Sequence, residues 1–172
     1  QALEEGAANC TVVPSADTVD AANEGKLIHI TGTAATEDVL TDELFGGISM
    51  KGMRLSRRVE YYQWVEDSKS ETKKNTGGST TTTTTYTYSK KWVSSPEDSS
   101  EFKEAGHENT IHFADAEDTT MYAQQAALGA FALTPSQIQS ISGQENVKLE
   151  GVQWPDSLKG RTTVSGNTLY IG

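Results

Sequence analysis

The stretch GMRLSRRVEYYQWVEDSKSETKKNTGGSTTTTTTYTYSKKWV, residues 52–93, decides the fold. Side chains alternate along a strand, so Arg54, Ser56, Arg58, Glu60, Tyr62 and Trp64 share one face, while Leu55, Arg57, Val59, Tyr61, Gln63 and Val65 share the other. On the return run Tyr86, Tyr88, Lys90 and Trp92 fall together. Asn75, Thr76, Gly77, Gly78 and Ser79 between the runs supply the residues a hairpin loop requires. A three-residue loop at Thr76–Gly78 sets Tyr62 opposite Trp92, and such aromatic pairs add roughly 0.2 to 1 kcal/mol each. The hairpin is therefore expected to be held at its aromatic base. Beyond Glu66 it has no aliphatic side chain to bury, and it would project roughly 30 Å at about 3.3 Å per residue. Residues 67–85 read as a solvated mobile loop or as a polar arm that binds a partner or another copy. The six threonines Thr80–Thr85 favour extended backbone through β-branching and read as a frayed strand.

Outward from the hairpin the signals are shorter. Thr11–Val13 is a strand candidate ended by Pro14, and KLIHITGT over Lys26–Thr33 reads as a central strand. Residues 34–51 suggest a packed loop with one helical turn. A helix is expected from Asp118 or Thr119 to about Ala132, led by acids that suit the helix dipole and carrying a modest stripe of Met121, Leu128 and Phe131. A second helix is punctuated by Thr134 as cap, Pro135 in the first turn, Gln137 completing a capping box and Leu133 stapling onto Ile138, with a stop at Gly143. Val147–Val152 and Thr162–Ile171, the latter turning at Ser165–Asn167, close the chain as strands. This order reads as one α+β domain over residues 1–172, a mostly antiparallel sheet with one long protruding β-hairpin and two helices.

Charge and composition limit the function classes. The 172 residues carry 14 basic and 24 acidic side chains, a net charge of −10, which opposes nucleic acid and anionic membrane surfaces at long range. Arg54, Arg57 and Arg58 form a local basic cluster, read either as stems packed on the sheet with heads paired to Glu60 or Glu66, or as an anion site. A single cysteine, Cys10, excludes an intramolecular disulfide and a multi-cysteine metal site. Asn9-Cys10-Thr11 matches a glycosylation acceptor, a short pattern that matters only in a eukaryotic secretory setting. Without a charged and apolar leader or about 18 consecutive apolar residues, the chain is expected neither to carry a signal peptide nor to cross a bilayer.

Chemistry-bearing motifs are sparse. There is no phosphate loop, nucleophile elbow, HExxH or dinucleotide fingerprint. A metal site would need two of His29, His107 and His112 to converge with Asp115 or Glu117, and structural roles suit these histidines better, with His29 satisfying buried partners from within its strand. Glu66 with Asp67 and Glu117 with Asp118 are sequence neighbours whose side chains diverge on extended backbone, so they make no acid/base pair. The expectation is a protein without catalytic, cofactor or metal residues.

NEGKLIHITG over Asn23–Gly32, RLSRRVEYYQWVED over Arg54–Asp67, YTYSKKW over Tyr86–Trp92, and the positions Phe102, Gly106, His107 and Asn109 resemble the large non-cytosolic domain of the LUMA family of multi-pass membrane proteins, also called the transmembrane protein 43 family. Order and spacing agree over roughly residues 3 to 110. The resemblance implies a domain on the luminal or periplasmic side, at the endoplasmic reticulum and inner nuclear membrane in eukaryotes, acting in membrane-protein assembly. In eukaryotic members that includes self-association and contact with nuclear-envelope proteins such as emerin and lamins, with no enzymatic activity established. Family domains carry membrane spans and continue past the position of Tyr170, so this chain is expected to be an excised or truncated part attached through segments it lacks. The Thr-rich tip has no family counterpart.

Together these readings give an interaction or scaffold domain that binds itself or membrane-protein partners. Its candidate surface is Tyr62, Trp64, Tyr86, Tyr88, Trp92, Arg57 and Arg58. The alternative is a carbohydrate-binding module in which exposed rings stack on sugar.

Overall fold

Short extended segments punctuated by glycine turns make up nearly all of the regular structure. The computed structural model describes residue 6, residues 8–110 and residues 116–172, so His112 and Asp115 lie outside the described residues. In chain order the strands begin with β1 Thr11–Val12, β2 Ile28–His29, β3 Ala34–Ala35, β4 Val39–Asp42, β5 Ile48–Lys51 and β6 Arg54–Arg57. They continue with β7 Tyr61–Lys74, β8 Thr80–Val93, β9 Thr119–Tyr122, β10 Ala127–Leu128, β11 Phe131–Ala132, β12 Thr162–Ser165 and β13 Thr168–Ile171. A helix, α1, spans Pro135–Ser140. The chain divides into two compact units, one of residues 57–118 and one from the flanking segments.

The flanking unit is built from small ladders. β4 pairs antiparallel with β5, β3 with β10, β10 with β11, and β12 with β13, while β1 and β2 pair in parallel. Leu40, Leu55, Ala123, Ile138, Leu149 and Leu158 are buried there, with Ile138 and Leu158 almost fully enclosed. Asp38 binds the amides of Gln124 and Gln125 through Oδ2 at 2.6 and 3.0 Å, and the Thr36 hydroxyl donates to the Gln125 carbonyl. Those bonds tie the β3–β4 connection to the β9–β10 connection.

The architecture is mostly β, which corrects the expected α+β fold with two helices. Where a helix was expected from Asp118 to Ala132, the chain makes β9, β10 and β11. Thr119, Thr120 and Tyr122 are β-branched or aromatic and prefer extended backbone, and Gly129 breaks any helix by adopting φ +58 between β10 and β11. A Cβ at Gly129 would overlap the Ala16 carbonyl, to which Ala130 donates its amide at 2.7 Å. The alanines of this segment thus serve a close backbone approach in a hairpin. The second expected helix does form, with Thr134 and Gln137 completing the capping box around Pro135, but it ends at Ser140 rather than at Gly143.

Other departures follow the same logic. Residues 34–51 hold the β4–β5 hairpin instead of a helical turn. The expected central strand at Lys26–Thr33 contracts to the two residues of β2, with Leu27 and His29 exposed. His29 therefore does not satisfy buried partners; its Nε2 lies 3.5 Å from the Thr31 hydroxyl. Val147–Val152 forms no strand, although Leu149 is buried. The final hairpin turns at Gly166–Asn167, where glycine at φ +61 supplies the first central position of a two-residue loop.

The central unit is the long hairpin with the segment that returns along its base. β7 and β8 are 14 residues each and pair without a bulge from Tyr61↔Val93 to Lys74↔Thr80. Asn75 closes the end by donating its amide to the Ser79 carbonyl at 2.8 Å, which leaves Thr76–Gly78 as a three-residue loop with Gly78 at φ +86. Tyr62 lies opposite Trp92, as the loop length requires. Among the described residues no helix is long and apolar enough to cross a membrane.

Candidate functional site

One face of the hairpin base gathers Tyr62, Trp64, Glu66, Tyr88, Lys90 and Trp92, because each occupies an even register position of the ladder. Two zones separate along that face. Tyr62 and Trp92 form an outer pair with ring centroids 5.2 Å apart at a 41° tilt, 58% and 53% exposed. Trp64 and Tyr88 are half-buried and receive His107 between them. The imidazole stacks on Tyr88 at 4.0 Å and meets Trp64 edge-on at 4.7 Å. Phe102 lies beside Tyr88 with ring centroids 5.9 Å apart, and the Lys90 ammonium sits 5.4 Å from the centre of Trp64. Aromatic rings thus supply the packing of the hairpin base.

A polar network locks the same residues. The Tyr88 hydroxyl donates to Glu66 Oε2 at 2.6 Å and accepts the Glu104 amide at 3.0 Å, while Glu66 Oε2 also accepts the Lys103 amide at 2.6 Å. The Lys103 backbone bond, and after it the Tyr88 hydroxyl, hold the Glu66 carboxyl below its ordinary value. Burial, and after it the bond to Glu66, push the Tyr88 phenol up to about 12. Asn109 binds the outer backbone edge of Trp64 as a neighbouring strand would, accepting its amide at 2.8 Å and donating to its carbonyl at 2.9 Å. Gly106, at φ +92, turns the chain just before His107.

The two shifts have opposite pH signatures. A lowered carboxyl stabilises the fold above its unfolded value of 4.5, and that contribution disappears as pH falls through the folded value. A raised phenol stabilises the fold fully below 10.0 and loses the contribution as pH rises through about 12. Glu66→Gln is expected to flatten the acid limb of an unfolding-midpoint curve below 4.5. Tyr88→Phe is expected to remove a step near 12 from the phenolate absorbance titration. A wild-type titration in which every tyrosine ionises near 10.0 would contradict this arrangement.

The aromatic residues of the sequence-predicted surface fall in three places. Tyr62 and Trp92 face solvent, Trp64 and Tyr88 belong to the half-buried cluster, and Tyr86 lies one register step further out on the same face. Arg57 donates from Nε and Nη2 to the Glu117 carbonyl at 3.2 and 3.0 Å. Arg58 is exposed. The cluster members Glu66 and Lys103 were not singled out as a site, and only the fold brings them together across 37 residues. Among the described residues no three His, Cys, Asp or Glu side chains are grouped to hold a metal ion. In the flanking unit an open cleft of about 360 Å³, lined by Ala34–Glu37 and Lys51–Met53, carries the exposed Glu37–Lys51 ion pair at 2.6 Å and no nucleophile with a base.

Beyond Glu66 the character changes. Every remaining residue of β7 and all of Thr80–Thr85 are exposed. Hydroxyl pairs Ser70–Thr84 at 2.8 Å and Thr72–Thr82 at 3.0 Å, and the Lys91–Asp67 ion pair at 2.6 Å, tie the two strands to each other. The outer part of the hairpin is therefore a paired ladder, not a loop.

Comparison with known proteins shows which family the chain resembles. The profile of the family described as Transmembrane protein 43 matches residues 61–172. The mouse Transmembrane protein 43 is 32% identical over 154 residues, covering 89% of this chain and 38% of the mouse protein. The human protein is 30% identical over 154 residues with the same coverage, and a Drosophila melanogaster homolog is 30% identical over 92 residues, or 52% of the chain and 24% of the homolog. The chain thus spans well under half the length of these relatives, and no solved structure matches it. The aromatic and polar positions that build the hairpin base lie inside the matched region, and the chain belongs to the Transmembrane protein 43 family.

Proposed function

We propose that this chain is a non-catalytic interaction and scaffold domain of a membrane protein, positioned on the luminal or periplasmic side of the membrane. Its arm is the contact element, engaging another copy or a membrane-protein partner. The observation that carries this reading is the arm itself, a long two-stranded ladder whose outer side chains are all exposed and contribute nothing to a core. A hairpin of this kind is marginal on its own in water and presents open strand edges to any extended partner. The aromatic and hydrogen-bonded base supplies the rigid mount such an arm needs. Family membership supports the membrane setting.

The test is to replace residues 69–84 by a short turn in the membrane protein that carries this domain and to measure the size of its native complex in detergent. The armless protein is expected in a smaller complex. A complex of unchanged size would overturn the reading.

The exposed Tyr62–Trp92 pair supports a second function, carbohydrate binding by ring stacking. The 41° tilt gives two ring faces that are not coplanar, suited to a bent ligand. Quenching or shift of tryptophan fluorescence by soluble oligosaccharides, lost in Trp92→Ala, is the expected sign of that activity.

A further inference from the structure

We propose that the β8 edge of the arm, along Thr80–Tyr88, is a self-pairing edge that joins two copies antiparallel into a four-stranded sheet ordered β7, β8, β8, β7. The proposal rests on the arm being the contact element and specifies which strand makes the contact and with what.

Backbone parity identifies the available groups. Trp64 turns its amide and carbonyl outward to Asn109, so Trp64 and Lys90 form a non-hydrogen-bonded pair. The ladder has no bulge, so every even-numbered position of both strands turns its backbone outward, and the Asn75 to Ser79 bond at the tip fits the odd-numbered inner set. Thr80, Thr82, Thr84 and Tyr86 therefore present outward N–H and C=O groups that no described residue satisfies.

Composition then distinguishes the two edges. Ser68–Lys74 of β7 carries Lys69, Glu71, Lys73 and Lys74, charges that protect an edge against pairing. Lys69 and Glu71 already pair with each other at 2.8 Å, so a new strand alongside would add little to them. Thr80–Ser89 of β8 carries no charge, no proline and no glycine, and its β-branched threonines are already held extended by β7.

A two-fold axis at Thr84 sets Tyr86 opposite Thr82 and Tyr88 opposite Thr80 of the second copy, placing aromatic beside β-branched side chains. The outward groups then exchange up to about ten main-chain hydrogen bonds. The charged β7 strands become the two outer edges of the joined sheet and stop further addition, so the assembly closes as a dimer and does not grow into a fibre.

The test uses proline, which removes one N–H and is tolerated where that N–H faces outward on an edge strand. Thr84→Pro and Ser70→Pro each delete the same Ser70–Thr84 hydroxyl pair and one outward amide, but on opposite edges. Light scattering and sedimentation across a concentration series should show a dimer for the unmodified chain and for Ser70→Pro. Thr84→Pro should weaken association roughly tenfold or more. Thr82→Pro should repeat that loss, which guards against an accident of one position. Dimers that survive both Thr84→Pro and Thr82→Pro would overturn the β8 assignment, as would loss confined to Ser70→Pro, which would move the contact to β7. A chain monomeric at every concentration would overturn self-pairing, while a native membrane complex that still shrinks without the arm would leave the arm's role with a separate partner standing.

Discussion

Asn109→Ala lowers the stability of the hairpin unit by about 2 kcal/mol, because it leaves the amide and carbonyl of Trp64 without their partner at a half-buried position. Asn109 acts as a one-residue stand-in for a third strand, and its own amide is fixed by the Ser99 hydroxyl at 2.9 Å. Asp can keep only the acceptor half of the arrangement, so Asn109→Asp is expected to fall between the wild type and Asn109→Ala. Urea unfolding followed by tryptophan fluorescence measures both, since Trp64 reports directly on the site. An Asn109→Ala protein with an unchanged midpoint would mean that Trp64 is held by its ring contacts alone.

Gly129→Ala costs about 3 kcal/mol in the flanking unit, combining left-handed backbone strain with the overlap a Cβ would make on the Ala16 carbonyl. The Ala130 to Ala16 bond at 2.7 Å sits beside that contact, so the chain cannot relieve the overlap without losing it. Gly25 provides the comparison. It has φ +73 with open space where a Cβ would go, and Gly25→Ala is expected to cost roughly 1 kcal/mol, the backbone share alone. Equal losses at the two positions would contradict the close approach at Ala16.

The same glycine explains why part of the fold was hidden in the sequence. Residues 117–132 contain alanines and a leading pair of acids, Glu117 and Asp118, that favour a helix, and single-residue propensities cannot register that residues 127–132 must pack against Ala16, more than a hundred positions earlier. The long hairpin was legible because its signals are local. Alternation, a loop of correct chemistry and aromatic residues on both runs all agree, and the register Tyr62↔Trp92 follows from loop length alone. α1 was legible for the same reason, its capping box lying within four residues.

At the candidate site the division is similar. The aromatic members of the base could be named from their shared strand face, and Phe102, Gly106, His107 and Asn109 stood out through the family resemblance. What joins them could not be read, because the Glu66–Lys103 and Trp64–Asn109 bonds connect residues separated by 37 and 45 positions. Arg57 finds a backbone carbonyl of the returning segment, a partner no charge pattern reveals.

Amide hydrogen exchange across the arm, resolved residue by residue at low and high protein concentration, tests most directly whether the arm is a contact element. At low concentration Thr81, Thr83 and Thr85 should be the protected threonines, since their amides face β7, while Thr80, Thr82 and Thr84 exchange quickly. At high concentration the even-numbered threonines should gain protection in step with the rise in mass. A rise in mass with no change at any arm amide would place the contact elsewhere and contradict the account.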